Sequence, residues 1–485
     1  MHSATMPIRS AATSELFIRQ QVYPQLRVSV LVVLLAFVAY FLFRLREDPV
    51  ANVLWAIAIT VTALAPAYCW ASGYVGGLPI FPAHLATLVL TFATPLASGM
   101  PEISQGDVES ISFASFCIVL YACVASACWI LALRGNLNGR RTFRVLPMAR
   151  GFSILLGILA LGAIYNTMLV AGLVTLEAGL YSVVRAATIA TTSIAMFVVA
   201  VRLGGRSLTS GQRVIAMAVI AIFVLSQIST LYLGSAIIST VSLVVGISIG
   251  RQRIPWAIIL VALVVIGILH AGKGEMRSRY WWGAESQTLS VGDLPAFMAD
   301  WFAAGLRRDA SPAGEAQSQS IYERVSLMHL LLLAEGAAQS RSEQLDGATY
   351  ALIPATLVPR FMDPDKPSSH EATNLLNRHY GLQSADEQES TMIGWGMINE
   401  GYANFGLYGI LAVAVAMGTL LGIVTRMGVG EPFMSLRNFF GILVLVIAVQ
   451  TELTAVVFVT ALLQSTVSML LLWPFCEIQR VPARA

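Results

Sequence analysis

The chain is poor in charge. Only 12% of its 485 residues are Asp, Glu, Lys or Arg, against about 25% in soluble domains. With 56% of residues hydrophobic, that shortage excludes an ordinary water-soluble enzyme. It implies an integral membrane protein, in which each crossing takes roughly 20 apolar residues as helix, because lipid offers the backbone no hydrogen-bond partner. Cysteine is scarce too: Cys69, Cys117, Cys123 and Cys128 lie in apolar runs and Cys476 just past the last one. They make neither a disulfide framework nor a C-x-x-C metal pattern. The sequence lacks a G-x-x-x-x-G-K-[ST] phosphate loop and a G-x-G-x-x-G turn after a strand, so no cofactor is expected. No nucleic-acid partner is expected either. Polar residues inside the apolar runs are mostly Ser and Thr, without the buried acids that an ion-coupled pump needs.

What is present is a series of apolar runs. They predict an all-α protein with about 12 transmembrane helices, near 28–43, 51–71, 80–98, 110–133, 151–175, 182–201, 214–232, 235–250, 255–271, 402–424, 438–451 and 455–474. The stretches 214–250 and 438–474 are each read as two spans joined by a tight turn. The first run follows a polar lead with no A-x-A site after it, so it reads as a span and not a cleaved signal. Residues 1–271 form an N-terminal bundle of about nine spans, and 272–399 a large loop between the ninth and tenth. Residues 400–485 supply the last three spans and a short tail.

Short loops rich in arginine mark the cytoplasmic side. Arg134, Arg144 and Arg150 share one such loop; Arg202, Arg213, Arg251, Arg253, Arg426, Arg437 and Arg480 fall on the same side. The intervening loops carry Glu102, Asp107, Glu109 and Glu177 instead. Both termini are therefore expected in the cytoplasm and the large loop outside, as in a bacterial cytoplasmic (inner) membrane protein.

From Lys273 to Glu400 there are 10 basic and 17 acidic residues, so this segment is no general cationic surface. It holds an amphipathic helix candidate, with Ile321, Val325, Met328 and Leu332 on one stripe. The apolar patch Ala348–Pro359 is too short to cross and is interrupted by Pro354. Two cationic clusters stand out. Lys273 to Trp282 (K-G-E-M-R-S-R-Y-W-W) puts Arg277 and Arg279 at a span end. Phosphate binding and aromatic-belt anchoring both suit it. Pro359 to Pro367 (P-R-F-M-D-P-D-K-P) puts Arg360 and Lys366 in a proline-stiffened turn, and Arg185 adds a cation at the outer end of the sixth span. Guanidinium groups bind phosphate oxygens in pairs, and beside a bilayer the natural target is a lipid-linked phosphate. Asp363 and Asp365 resemble a D-x-D metal motif, but a plain proline turn accounts for them and no metal site is expected. Glu47 and Asp48 read as an ordinary loop. Of the histidines, His370 lies closest in sequence to Arg360 and Lys366, and is the candidate base.

Asn399 to Gly409 (N-E-G-Y-A-N-F-G-L-Y-G) opens the tenth span with a carboxylate, two amides, two tyrosines and three glycines. Together, Arg360, Lys366 and Pro367 followed by Glu400, Tyr402, Asn404, Phe405 and Gly406 resemble the motifs of Wzy-type polysaccharide polymerases, which join O-antigen or exopolysaccharide repeat units. Asn399 departs from the pattern, where glycine is common. The motif-level likeness covers roughly residues 355–410.

The resemblance implies a GT-C-like polymerase and ligase architecture and a metal-independent glycosyltransferase. Such an enzyme moves a glycan from polyprenyl diphosphate onto a second lipid-linked oligosaccharide, outside the membrane. It implies Arg360, Lys366, Arg277, Arg279, Arg185, Tyr402 and Asn404 around the substrate, with Glu400 and His370 orienting or activating the acceptor hydroxyl. Membrane lipid, a flippase and a chain-length regulator are the implied partners. Glu400 has a second reading, as a carboxylate that stabilises a helix start. Competing functions are an O-antigen ligase, a metal-dependent transferase built on Asp48, and a flippase.

Overall fold

The computed structural model describes residues 23–104, 106–134, 142–205, 207–280, 290–307, 325–339, 344–360, 362–390 and 392–480. In chain order it runs α1 (Pro24–Arg44), α2 (Val50–Ala71), α3 (Ile80–Leu96), α4 (Val108–Leu133), β1 (Thr142–Val145), α5 (Met148–Val170), α6 (Ala178–Gly204), α7 (Ser210–Ser229), α8 (Leu233–Arg251) and α9 (Trp256–Tyr280). After these come α10 (Leu294–Leu306), α11 (Met328–Gln339), α12 (Ile353–Leu357), α13 (Glu371–His379), α14 (Met397–Gly428), α15 (Leu436–Ala448), α16 (Ala455–Met469) and β2 (Glu477–Arg480).

Among the described residues, ten helices are long and apolar enough to cross a bilayer: α1, α2, α4 to α9, α14, and α16 together with the 3-10 helix Leu470–Phe475 that carries it on. The chain is thus a multi-pass, helical membrane protein. The other two expected spans are present as shorter helices. With 13 residues, α15 reaches about 20 Å, less than the ~30 Å of hydrocarbon. In α3 a five-residue π turn, Val89–Ala93, interrupts the helix. Both stretches read as paired spans are split, the first at Leu231, whose φ is +58°.

The helical fold carries one short strand pair besides: β1 and β2 pair antiparallel, with Thr142 opposite Arg480 and Val145 opposite Glu477, and Val145 bridges to Ser435. The ninth helix also runs on to Tyr280, so the boundary at 271 falls inside it. Lys273, Arg277 and Arg279 are helical, because nothing between Ala271 and Tyr280 breaks a helix; the glycines there cost only about 1 kcal/mol each.

The sheet gathers one end of the bundle. Arg144 lies over the Trp473 ring at 3.9 Å, Arg426 donates to the Ala132 carbonyl (2.9 Å), and Arg253 bonds Gln25. Gly77, just past α2, packs on Thr425 and Val429 at the end of α14. Loops assigned to one side by their arginines therefore meet at one end, the sheet end. The segment between α9 and α14 lies at the other, the loop end.

Most of that segment docks on the bundle. The amphipathic helix starts at Met328, later than its stripe suggests, and buries Met328, Leu330, Leu331 and Ala334. Ile321, Trp281, Trp282 and the loop 309–320 lie outside the described residues. The patch at 348–359 forms a 3-10 turn and α12 against α16. Pro354 opens α12 instead of breaking it, since the first turn needs no proline N–H.

Candidate active site at the loop end

The helix α14 does not run straight. Phe405 (φ −140°, ψ 17°) and Gly406 (φ 58°, ψ −141°) leave helical geometry, and the second of these conformations is open to glycine alone among common residues. The break folds residues 397–404 back on the helix beyond Gly406. A Cβ added at Gly409 would stand 1.9 Å from the Gly401 carbonyl oxygen, although eight residues of straight helix span ~12 Å. Glycine at both positions permits this contact.

The polar side chains of the stretch fix the fold-back. Asn404 is fully buried. Its Oδ1 accepts from the Gly347 N–H (3.1 Å), and its Nδ2 donates to Thr349 Oγ1 (2.9 Å) and the Glu400 carbonyl (2.8 Å). Asn399 Nδ2 donates to the Leu327 carbonyl (2.8 Å), and the Leu327 N–H donates to the Thr91 carbonyl (2.9 Å) inside the π turn of α3. Asn399, where the resemblance expects glycine, thus pins the lead into α11. Tyr402 is buried edge-on against Phe113, ring centres 6.4 Å apart, and Phe405 stacks on Tyr350 at 6.0 Å. Tyr408 is 82% exposed, as a belt residue is.

Glu400 has no exposed surface. Its Oε2 accepts the Ala455 N–H at 2.6 Å. Ala455 opens α16, whose own N-cap residue, Thr454, makes no side-chain cap. Glu400 supplies that cap from another helix, where the partial positive charge of a helix start favours a carboxylate. Oε1 has no hydrogen-bond partner among the described residues. Burial and the nearby Glu400 carboxylate push the Tyr350 phenol up from its ordinary pKa.

His370 stands at the N-cap of α13. That helix is held by Trp395, whose Nε1 donates to Asn377 Oδ1 (2.7 Å), and by Thr373, whose hydroxyl meets that of Thr454 at 3.3 Å. The starts of α13 and α16 therefore converge. The imidazole is open to solvent yet recessed, and its pKa is pulled down by burial first and then by the charge of Arg185. Arg185, exposed on α6, also reaches the phenol of Tyr165 on α5 electrostatically. A span residue and a loop histidine 185 positions apart thus lie within electrostatic reach of one another.

The other expected cations divide. Arg360 is exposed, with one guanidinium N–H on the Pro364 carbonyl at 3.3 Å. Lys366 turns inward and donates to the carbonyls of Thr356 (2.7 Å) and Val358 (2.6 Å), closing the turn. Burial and Arg360 lower its pKa, partly offset by Asp363. Arg277 donates to the Leu231 carbonyl (3.4 Å), while Arg279 and Arg307 share Glu275. These last groups lie over a separate apolar cluster around Trp301, Phe297 and Leu269.

Glu47 and Asp48 both pair with Arg44, Asp48 at 2.8 Å. Among the described residues, no group of three His, Cys, Asp or Glu side chains is placed to hold a metal. Sequence reasoning misses His84. It is buried in α3, with Nδ1 2.7 Å from the Ala448 carbonyl and Nε2 2.8 Å from the Tyr121 hydroxyl. A carbonyl only accepts, so Nδ1 carries the proton and a neutral ring accepts from Tyr121. The available signal is a lone imidazole inside an apolar run, which must find partners once buried. Against known proteins, no family model, no curated protein and no solved structure matches this chain.

Proposed function

We propose that the protein is a membrane glycosyltransferase that polymerises polyprenyl-diphosphate-linked oligosaccharide repeat units at the outer face of a bacterial cytoplasmic membrane. In this reading the loop end faces outward and both termini lie in the cytoplasm. The observation that carries it is that the charge of Arg185, exposed on a span, reaches the imidazole of His370 at the loop end. A cation near an imidazole suits a substrate that brings both a phosphate and a hydroxyl to be deprotonated.

The chemistry is set by those groups. The acceptor hydroxyl oxygen attacks the anomeric carbon of the donor sugar. As that bond forms, the bond from carbon to diphosphate oxygen breaks and its electron pair leaves with the diphosphate. His370, kept neutral by burial and by Arg185, takes the hydroxyl proton. Arg185 neutralises charge building on the diphosphate, and Arg360 stands at the exposed turn to assist. Glu400 acts through structure, by fixing the start of α16 beneath α13. Lys366 holds the turn that presents Arg360.

The test uses purified full-length protein in lipid nanodiscs with synthetic polyprenyl-diphosphate repeat units. A ladder of products is expected, lost in Arg185→Ala and His370→Ala proteins that melt normally. Unchanged substrate with the parent protein would overturn the proposal, as would a full ladder from both variants.

A further inference from the structure

The tip of the fold-back leaves a large ring in the open. Phe405 is 44% exposed, although Ala403 and Asn404 just before it are buried. Its ring lies nearly parallel to that of half-buried Tyr350, 9° apart with centres 6.0 Å from one another. That is an offset stack, in which each ring leaves part of its face uncovered by the other. The pair belongs to the loop end, with Phe405 at the break of α14 and Tyr350 in the 3-10 turn before α12. That turn packs against α13, the helix that His370 opens.

The stack is braced and bordered by polar groups. Residues 344–350 are stapled to the tip: the Leu345 N–H donates to the Ala403 carbonyl (3.1 Å), and Asn404 binds both the Gly347 N–H and the Thr349 hydroxyl. Gly347, with φ +87°, lets the segment pass the Phe405 ring, where an added Cβ would stand 2.9 Å from the ring tip. Rings held this way have little freedom left to lose when a ligand lies on them. The Gln344 carboxamide sits over Gly406, its Nε2 3.1 Å from where a Cβ would be. Asp346 is exposed in a left-handed conformation, with φ +44°. Neither of these two side chains makes a hydrogen bond or ion pair among the described residues.

Open aromatic surface rimmed by a carboxamide and a carboxylate matches the two-sided chemistry of a sugar ring. The ring face of a pyranose turns out C–H bonds, whose slight positive charge suits the negative face of an aromatic ring. Its hydroxyls reach sideways, donating to a carboxylate and both donating to and accepting from a carboxamide. A lipid tail would leave both polar groups idle. We propose that Phe405 and Tyr350 form a subsite for one sugar ring of the glycan, with Gln344 and Asp346 taking its hydroxyls. The proposal rests on the glycosyltransferase reading for the identity of that glycan. A glycan held here as well as beside α13 rebinds before it escapes, so the subsite lengthens the product.

The test uses the full chain in nanodiscs and the lipid-free repeat-unit oligosaccharide, read by saturation-transfer NMR. Saturation of the sugar ring protons is expected with the parent protein. Phe405→Ala should weaken binding about fivefold, equivalent to ~1 kcal/mol for one aromatic contact, and Phe405→Tyr should retain it. Gln344→Ala, an exposed change that leaves the stack in place, should weaken binding about threefold, as for one hydrogen bond. It keeps the test open if Phe405→Ala fails to fold. In the polymerisation assay, Phe405→Ala and Gln344→Ala should give shorter chains. No binding by the parent would overturn the subsite, as would full binding in both Phe405→Ala and Gln344→Ala. An equal loss in Phe405→Tyr and Phe405→Ala would overturn it too. A parent that holds the oligosaccharide through Phe405 and forms no ladder would support the subsite and overturn the transferase reading.

Discussion

The two stretches that carry the family resemblance lie at the same end of the bundle and are built in opposite ways. Along 399–404 the polar groups point inward: Asn399, Glu400 and Asn404 have no exposed surface, and each bonds a different part of the fold. Along 359–370 Arg360 and His370 remain open, while Lys366 turns in. The first stretch is scaffold, and the second presents its charge to solvent. Residues grouped by one motif therefore divide into those that hold the loop end together and those exposed on it. Changes in the first should cost folding; changes at Arg360 and His370 in the second should cost activity alone.

The largest expected effect is at Gly409. Val at this position drives carbons into the Gly401 carbonyl, and backbone cannot yield as a side-chain tip can. The cost should exceed the ~1–3 kcal/mol typical of overpacking, seen as loss of folded protein in detergent or a steep fall in melting temperature. Normal yield and melting in Gly409→Val would remove the fold-back from the scaffold.

On the presenting side the effect should be catalytic. His370→Ala should lower polymer formation by ~10²–10⁴ with melting unchanged. The sign of its pH dependence comes from a depressed pKa. The neutral base persists below the ordinary value of about 6.5, so the acid limb of the rate profile should lie at lower pH than that. Arg185→Gln removes one of the two causes of the depression and should move the limb upward. A limb that stays in place would break the link between Arg185 and His370.

Much of this architecture is legible in the sequence, because lipid imposes a simple code. Apolar runs locate the helices, and arginine placement sorts loops that do meet at one end, as Arg144 and Arg426 show. What stays hidden depends on tertiary contact. The shortness of α15 and the π turn in α3 leave no mark on hydropathy. Glu400 stands out in the sequence, and service to a helix start is one of its two readings there. That the helix is α16 and not its own α14 needs coordinates. Asn404 and Lys366 look like substrate ligands because a side chain that binds a backbone reads the same as one that binds a phosphate. His84 is invisible for a related reason, since its partners Tyr121 and Ala448 are remote in sequence.

A smaller effect separates two substitutions at Glu400. Ala removes the cap on Ala455 and should cost ~1–2 kcal/mol of stability. Gln keeps an oxygen for that N–H and should cost less. If the role is positioning, Glu400→Gln should also keep substantial activity. If its second oxygen touches substrate, Glu400→Gln should melt normally and yet make no polymer. Melting and product ladder measured on the same preparations distinguish these results.

The smallest contrast lies inside the presenting turn and tests whether the division holds residue by residue. Lys366→Met removes two hydrogen bonds to the Thr356 and Val358 carbonyls, and a partly solvated pair of this kind is worth about 1 kcal/mol. Arg360→Ala removes one long, exposed contact and should change stability by less than ~0.5 kcal/mol. Limited proteolysis of the turn should therefore quicken in Lys366→Met and not in Arg360→Ala, while substrate affinity falls more in Arg360→Ala. The opposite pattern would mean that Lys366 faces the substrate and Arg360 braces the turn. The line between scaffold and presentation would then run between neighbouring side chains in a different order.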